Sequence, residues 1–361
     1  MKSTVDAAEF AAAVKRVSGI LKKSKIPLFS QARVQFADDA CRVSATDGEA
    51  WLSTEIPATG EQFSLLFRDT QKLLRVLRHY EGSLTVELLR EDNETQLSLQ
   101  TSTKAGVFPA LEDEAYEEVP RVIPLQRYEI NPKTLCERVE RVRYATRIRE
   151  DKPATAGVRF QDRRIWCVDG CRLAIHEDAA LNVTEPFILR ASVLKCLSAF
   201  ETTEGELLVG ERYAAITANG LTLACRLMEQ SDELKIDMVM PKTAMETYSV
   251  NRRQYLDALN YLADCTNRKE NVAVGFDGTS LIVYDKHGEY AAKVDIAEGR
   301  SEVCYTVNLT YMRQAVEHMK DVERVRIDAI SASSPIVLHG GSMTAMVLPV
   351  RMKVRQHARA A

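Results

Sequence analysis

The sequence predicts an α+β protein with three similar domains in one chain, and three observations support this. The chain has 361 residues, which is too long for one ordinary core. An amphipathic helix, strands with a polar turn, a second helix and a closing hairpin follow each other three times. The matching turns recur about every 120 residues, a period of whole domains and not of a solenoid. We therefore expect domains at 1–120, 121–240 and 241–361, and three unrelated α+β domains are the alternative.

The first helix of each repeat has a start signal and an apolar stripe. Asp6 and Glu9 have the spacing of a capping box. Pro132 suits the first turn of the second such helix, and the third follows Arg252 and Arg253. The stripes at helical period are Phe10, Ala13, Val14, Val17 and Leu21; Leu135, Val139 and Val142; and Leu256, Leu259 and Leu262.

The second helices and closing hairpins also correspond. We predict the helices at 68–78, 191–200 and 309–319. Asn219-Gly220 is a strong tight-turn signal for one hairpin. The predicted strand pairs are 84–88 with 97–99, 215–217 with 221–223, and 325–327 with 336–338.

Three aspartates occupy turns that match between repeats, at Asp47-Gly48, at Asp169-Gly170 and from Asp285 to Gly288. Carboxylates can form a catalytic set, but aspartate also caps turns through its own backbone. The repeated placement favours turn capping.

Composition argues against several classes of function. The net charge is −3, which is unusual for a DNA-binding protein unless the charge is segregated. The eight cysteines and six histidines show no metal-ligand spacing, and no phosphate-binding loop or nucleophile elbow occurs. Signal-like and membrane-spanning segments are also missing from the sequence. We expect a cytoplasmic protein without catalytic activity, cofactor or metal, and no association with membranes.

Positive charge is concentrated on the predicted helices, whereas acids lie mainly in linkers and turns. Many of the basic residues are three or four positions apart and therefore share a helix face. This pattern predicts either one basic surface for nucleic-acid phosphates or solvated helix faces without a partner. The residues include Lys15, Arg16, Lys22, Lys23, Lys25, Lys72, Arg75, Arg78, Arg138, Arg141, Arg143, Arg149, Arg190, Lys195, Arg253, Arg313 and Lys320.

Several segments, in order, resemble the bacterial DNA polymerase III beta subunits, the sliding clamps. In the first repeat these are Val17-Ser18-Gly19, Ile26-Pro27-Leu28-Phe29 and residues 43–48. In the second they are residues 156–160 and 168–174. In the third, residues 346–352 resemble the end of the family's sequence. The resemblance covers the chain up to about residue 352.

The resemblance implies a non-enzymatic DNA sliding clamp, a processivity factor for DNA replication. Two chains would join head to tail in a ring, with helices lining the hole and antiparallel sheets outside. It implies an interface of Leu97 and Leu99 with Asp264 and Cys265 of a second copy. The protein would be associated with the nucleoid and would encircle duplex DNA without sequence preference. The DNA contacts would be Lys22, Lys23, Lys25, Lys72, Arg75, Arg138, Arg141, Arg149, Lys152, Arg190 and Lys195.

The resemblance also implies a pocket for short peptides of DNA polymerase, the clamp loader and other partners. Arg172 would bond peptide carbonyls or carboxylates at its rim. Pro349 cannot donate to a central ladder, so the strand that begins at Met346 and ends in Pro349 fits either an edge or the end of a strand. The pocket residues would be Thr155, Val168, Gly170, Arg172, Leu173, Val239, Pro335, Met346, Val347, Leu348, Pro349, Val350, Arg351 and Met352.

The sequence departs from the family at several of these places. Thr155, Val168 and Cys171 replace the usual leucine, threonine and histidine, and a Phe-Pro pair is replaced by Glu233-Leu234. A polar, basic tail at 353–361, which we expect to be disordered, follows the usual terminus. Two alternatives remain: a clamp-like scaffold that does not encircle DNA, and an enzyme on a repeated α+β scaffold.

Overall fold

The structure is a computed structural model that describes residues 1–21, 26–91, 94–113, 116–147, 153–229, 236–266, 272–284 and 289–350. The chain forms two compact units. Unit 1 comprises residues 1–137 and 192–227, and unit 2 comprises residues 138–191 and 228–361. Several positions named in the sequence analysis lie outside the described residues. They are the predicted tail and Lys22, Lys23, Lys25, Arg149, Lys152, Arg351 and Met352.

The described residues form α-helices and antiparallel strands in an alternating order. The α-helices are α1 Ala7–Ser18, α2 Thr70–Leu77, α3 Pro132–Arg143, α4 Pro153–Ala156, α5 Ile236–Val239, α6 Arg252–Cys265 and α7 Leu309–His318. Short 3₁₀ helices occupy Pro27–Ser30 and Val193–Ala199.

The strands of the first half of the chain are β1 Lys2–Asp6, β2 Ala32–Ala37, β3 Ala40–Thr46, β4 Ala50–Pro57, β5 Thr59–Gly60, β6 Phe63–Phe67, β7 Ser83–Glu91, β8 Glu94–Gln100, β9 Ala105–Leu111, β10 Gln126–Ile130, β11 Gly157–Asp162, β12 Arg164–Val168 and β13 Arg172–Glu177. Those of the second half are β14 Val183–Arg190, β15 Gly205–Val209, β16 Tyr213–Ala218, β17 Leu221–Arg226, β18 Glu246–Asn251, β19 Ala273–Phe276, β20 Ser280–Tyr284, β21 Glu289–Lys293, β22 Ile296–Gly299, β23 Tyr305–Asn308, β24 Arg324–Ala329, β25 Ile336–Gly340 and β26 Met343–Val347.

The helix starts follow the sequence signals. The Asp6 carboxylate accepts hydrogen bonds from the backbone N–H groups of Ala8 (2.9 Å) and Glu9 (3.0 Å), as expected of an N-cap. Helix α3 begins at Pro132, which the sequence predicted. The predicted helix at 191–200 is instead a 3₁₀ helix, whose Val193, Leu194 and Leu197 are nevertheless buried.

Strand order repeats the same two four-stranded patterns in each third of the chain. One pattern is β9-β8-β7-β1, β17-β16-β15-β10 and β26-β25-β24-β18. The other is β4-β3-β2-β6, β13-β12-β11-β14 and β21-β20-β19-β23. The predicted threefold order of elements is therefore confirmed in an antiparallel α+β fold.

Among the described strands, two antiparallel junctions join one pattern of a repeat to the other pattern of the next or preceding repeat. In unit 1, β17 pairs with β4, with Ala224 opposite Trp51. In unit 2, β26 pairs with β13, with Met346 opposite Leu173. Each junction makes a continuous sheet across a predicted domain boundary, and the boundaries near 120 and 240 stay a prediction.

Candidate functional site: an apolar pocket and basic helix faces

A buried apolar cluster lies at the β13–β26 junction of unit 2, at the place where the resemblance implied a peptide pocket. Side chains alternate between the two faces of a strand, so Leu173 and Ile175 share one face with Met346. A buried cluster forms the floor; its members are Trp166, Leu173, Ile175, Ile236, Val337 and Met346. Partly buried Val168, Met240 and Leu348 pack against this floor.

Exposed apolar side chains continue from the pocket along helix α5 and past strand β26. Met238 is 81% exposed, Val239 45% and Val350 40%. Apolar side chains this open next to an apolar cluster are typical of an interaction site. The site offers apolar area to a ligand and few polar groups.

The turn that precedes Leu173 is held by its own aspartate. The Asp169 carboxylate accepts hydrogen bonds from the backbone N–H groups of Cys171 (2.9 Å) and Arg172 (3.0 Å). Gly170 has φ +94°, a conformation that glycine adopts readily. Asp47 binds its turn in the same way, which confirms the capping interpretation for both aspartates. Asp285 lies outside the described residues.

Arg172, which we expected at the pocket rim, has contacts within unit 2. Its side chain is only 10% exposed, and its Nε donates to Asp169 Oδ2 at 2.8 Å. A second guanidinium nitrogen donates to the side-chain oxygen of Gln314 on α7. These contacts hold Arg172 within unit 2, and its role as a peptide ligand stays a prediction.

Aromatic rings enclose the guanidinium of Arg172. Its Cζ lies 4.2 Å from the ring centroid of Tyr311 and 5.4 Å from that of Tyr144. His318 stacks on Tyr144 with centroids 4.4 Å apart. Burial raises the pKa of Tyr144 and lowers the pKa of His318, so both rings are neutral at pH 7.

Several other predicted pocket residues do not belong to the buried apolar cluster. Val347 is buried, and it lies on the face of β26 opposite Met346. Strand β26 pairs with β13 and β25 and ends at Val347, so of the two places that the sequence allowed for Pro349 it takes the strand end and not an edge. Pro349 forms an isolated bridge with Val307, whereas Thr155 and Pro335 are half-buried.

Sequence reasoning missed several pocket residues, namely Trp166, Ile175, Ile236, Val337, Met238 and Met240. Of the run from Ile236 to Met240, the sequence analysis assigned only Val239 to the pocket. Its apolar residues were the signal that could have identified it.

The predicted basic residues differ in how available their charges are. Lys72 and Arg75 on α2, with Lys195 on a 3₁₀ helix, are exposed and form no ion pair within the described ranges. Leu73 and Leu77 are buried on the same helix, so the cations lie opposite the core. These three side chains remain candidates for phosphate contacts.

Two predicted DNA contacts on α3 are engaged in ion pairs. Arg138 binds the carboxylate of Asp178, whose side chain is 1% exposed, and Arg141 binds Asp321. Arg190 is half-buried. The positive charge of this helix is thus partly neutralised within unit 2.

Leu97 and Leu99 are not at an exposed edge. Both have 0% exposure, and their strand β8 pairs along both edges, with β7 and with β9. Asp264 is exposed and Cys265 half-buried at the end of α6. An interface through the first third of the chain would have to use a different strand.

Within the described residues, no group of three or more His, Cys, Asp or Glu side chains is arranged to hold a metal ion. In the same part of the chain, no helix is long and apolar enough to cross a membrane.

The fold matches solved sliding clamps over nearly the whole chain. The beta subunit of the Streptococcus pyogenes DNA polymerase has a TM-score of 0.86 at 16% identity, covering 98% of this chain and 100% of the other. The Bacillus subtilis sliding clamp has 0.85 at 16%, covering 98% and 99%. The Helicobacter pylori beta clamp, solved with a DNA ligase peptide, has 0.80 at 14%, covering 97% and 100%. No protein-family model and no curated protein matches the sequence. The chain therefore has the fold of DNA polymerase III beta subunits.

Proposed function

We propose that this chain is a DNA sliding clamp, a processivity factor that encircles duplex DNA and tethers DNA polymerase and other replication proteins. The observation that carries the proposal is the whole-chain match to clamp structures. Because one fold can serve several functions, the sites must support the assignment too. The apolar pocket of unit 2 and the exposed cations of the helices supply this support.

The ring would close through two strand edges, β9 of one copy and β21 of another. In the repeated strand order, β9 corresponds to β17 and β26, and β21 corresponds to β4 and β13. Strands β17 and β26 have their partners within the chain. Along residues 105–109, β9 has no second partner strand among the described residues, and β21 ends its sheet. A head-to-tail pairing of β9 with β21 would make the third junction of the same kind.

Val107 marks this edge. Val107 corresponds to Ala224 in the second repeat and to Met346 in the third. This correspondence is found by following the strand pairings of each repeat from the N-cap of its first helix to its last strand. Those two residues are 0% and 3% exposed, whereas Val107 is 56% exposed. The proposed interface therefore uses Val107 in place of the predicted Leu97 and Leu99.

DNA would be held by exchangeable contacts between phosphates and exposed cations, and topology would retain it. Such contacts are independent of sequence and weaken with salt. Lys72, Arg75 and Lys195 are the described residues best placed to make them.

We expect the triple change Lys72→Gln, Arg75→Gln and Lys195→Gln to weaken binding to all DNA sequences equally. Each phosphate contact contributes about 0.9 to the slope of log affinity against log salt, so the slope should fall by about 2 to 3. Titrations of two duplexes of unlike base composition at several salt concentrations measure this. Arg42→Gln, Lys242→Gln and Arg300→Gln, exposed residues on a strand and in loops, form the control. An unchanged slope would contradict the DNA-contact assignment.

We expect Leu348→Asp to abolish binding of partner peptides. Leu348 packs on the pocket floor but stays partly exposed, so the change should leave the core intact. A buried apolar anchor contributes about 2 kcal/mol or more, which is about 30-fold in affinity. Titration with a labelled short peptide that carries two large apolar side chains checks this. Met245→Asp, at a side chain that is 77% exposed, is the control. If Leu348→Asp bound the peptide normally, the pocket assignment would be wrong.

The alternative is a clamp-like scaffold that binds proteins but does not encircle DNA. The ion pairs of Arg138 and Arg141 favour it, because they reduce the charge available to phosphate. Retention on closed circular DNA, and release when the circle is cut, separates the two functions. Only an encircling clamp shows this dependence on topology.

A further inference from the structure

The β4–β17 junction of unit 1 carries a second exposed surface, which we call the junction surface. Trp51, Ala215 and Ala224 form a buried cluster on which Val122, Leu208 and Tyr213 pack. The junction surface consists of Ile123, Leu125, Arg212, Tyr213 and Arg226.

Direct contacts hold the parts of the junction surface together. The backbone N–H of Leu125 donates to the Val209 carbonyl at 2.8 Å. A Cβ at Gly210 would lie 2.7 Å from the Ile123 carbonyl oxygen and 3.3 Å from that of Tyr213. Only glycine leaves room for this approach, so the segment carrying Ile123 and Leu125 is seated on the 209–213 turn.

The junction surface takes the place in unit 1 that the peptide pocket takes in unit 2. In the matching registers, Arg226 corresponds to Leu348, and Tyr213 corresponds to Pro335. The Arg226 Cζ lies 5.9 Å from the Tyr213 ring centroid. A cation beside an aromatic ring thus replaces two apolar residues of the pocket.

The exposed side chains combine apolar area with positive charge. Ile123 is 78% exposed and Leu125 70%, which are high values for large apolar residues. Arg212 and Arg226 are exposed and form no ion pair in the part of the chain that the structure describes. Glu211, which precedes Arg212 in the same turn, is an exposed acid.

We propose that the junction surface binds a short peptide segment of a partner protein that has both apolar and acidic side chains. The apolar side chains would cover Ile123 and Leu125, and a carboxylate would pair with Arg226 and Arg212. Charge complementarity selects this class of partner over a basic one. The proposal goes beyond DNA encirclement and the unit 2 pocket, and it does not depend on either.

The test uses the full chain and a fluorescein-labelled synthetic peptide of alternating aspartate and leucine with one central phenylalanine. We expect Arg212→Glu with Arg226→Glu to weaken binding at least about tenfold, because two attractions become repulsions. A matched peptide with lysine for each aspartate should then bind the variant better than the original chain. Ile123→Ser with Leu125→Ser should weaken both peptides.

A control variant separates the junction surface from the pocket. Leu348→Asp changes only the unit 2 site and should leave binding of the acidic peptide at the junction surface unchanged. A photo-crosslinker on the phenylalanine should label residues between 119 and 125 or between 208 and 213. The proposal is overturned if the two arginine changes leave affinity unaltered, or if Leu348→Asp alone removes binding.

Discussion

Val107→Glu is expected to abolish the head-to-tail dimer that we propose and to leave monomers. The place of Val107 is buried in both junctions within the chain, at Ala224 and at Met346. Pairing of β9 with β21 of a second copy would bury the new carboxylate beside a strand that already carries Glu289. An unpaired buried charge costs about 3 kcal/mol or more, so the dimer dissociation constant should rise more than about 100-fold.

Sedimentation at several concentrations measures the expected change. Met245→Glu, at another exposed apolar side chain of the chain, is the matched control and should stay dimeric. DNA retention should be lost together with dimerisation, because an open chain cannot hold DNA by topology. A Val107→Glu protein that sediments as the original does would contradict the β9–β21 pairing.

Much of the architecture was predictable because local signals coincide with the fold. The Asp6 cap, Pro132 and the helical stripes all gave helices where expected. Turn chemistry at Asp47 and Asp169 was also predictable, since an aspartate side chain binds its own turn. These features depend on residues close in sequence.

The errors arose where pairing between distant segments decides the outcome. Leu97 and Leu99 alternate in a way that fits either an edge or a central strand, and only the pairing of β8 with both neighbours buries them. Pro349 fitted either an edge or the end of a strand, and the structure has the second, because β26 ends at Val347, before the proline. The register with β13 then buries Val347 and leaves Met346 in the pocket floor.

Arg172 has contacts that the sequence did not predict. The sequence placed it at the pocket rim as a ligand for peptide carbonyls. Its contacts with Asp169, Gln314 and Tyr311 instead fix the strand that carries Leu173 against helix α7. A rim ligand would affect peptide affinity alone, whereas a residue with these contacts would affect stability as well.

Arg172→Met is therefore expected to lower the free energy of unfolding by about 3 kcal/mol, because Asp169, with a side chain 9% exposed, loses its cation. Denaturant titration of unfolding measures this. The double change Arg172→Met with Asp169→Asn should recover part of the loss, since the amide of asparagine needs no counter-charge. Arg164→Met, at an arginine that pairs with the 86% exposed Asp237, is the control and should change stability by less than about 1 kcal/mol. If Arg172→Met kept full stability and lost only peptide affinity, Arg172 would act as a ligand at the rim after all.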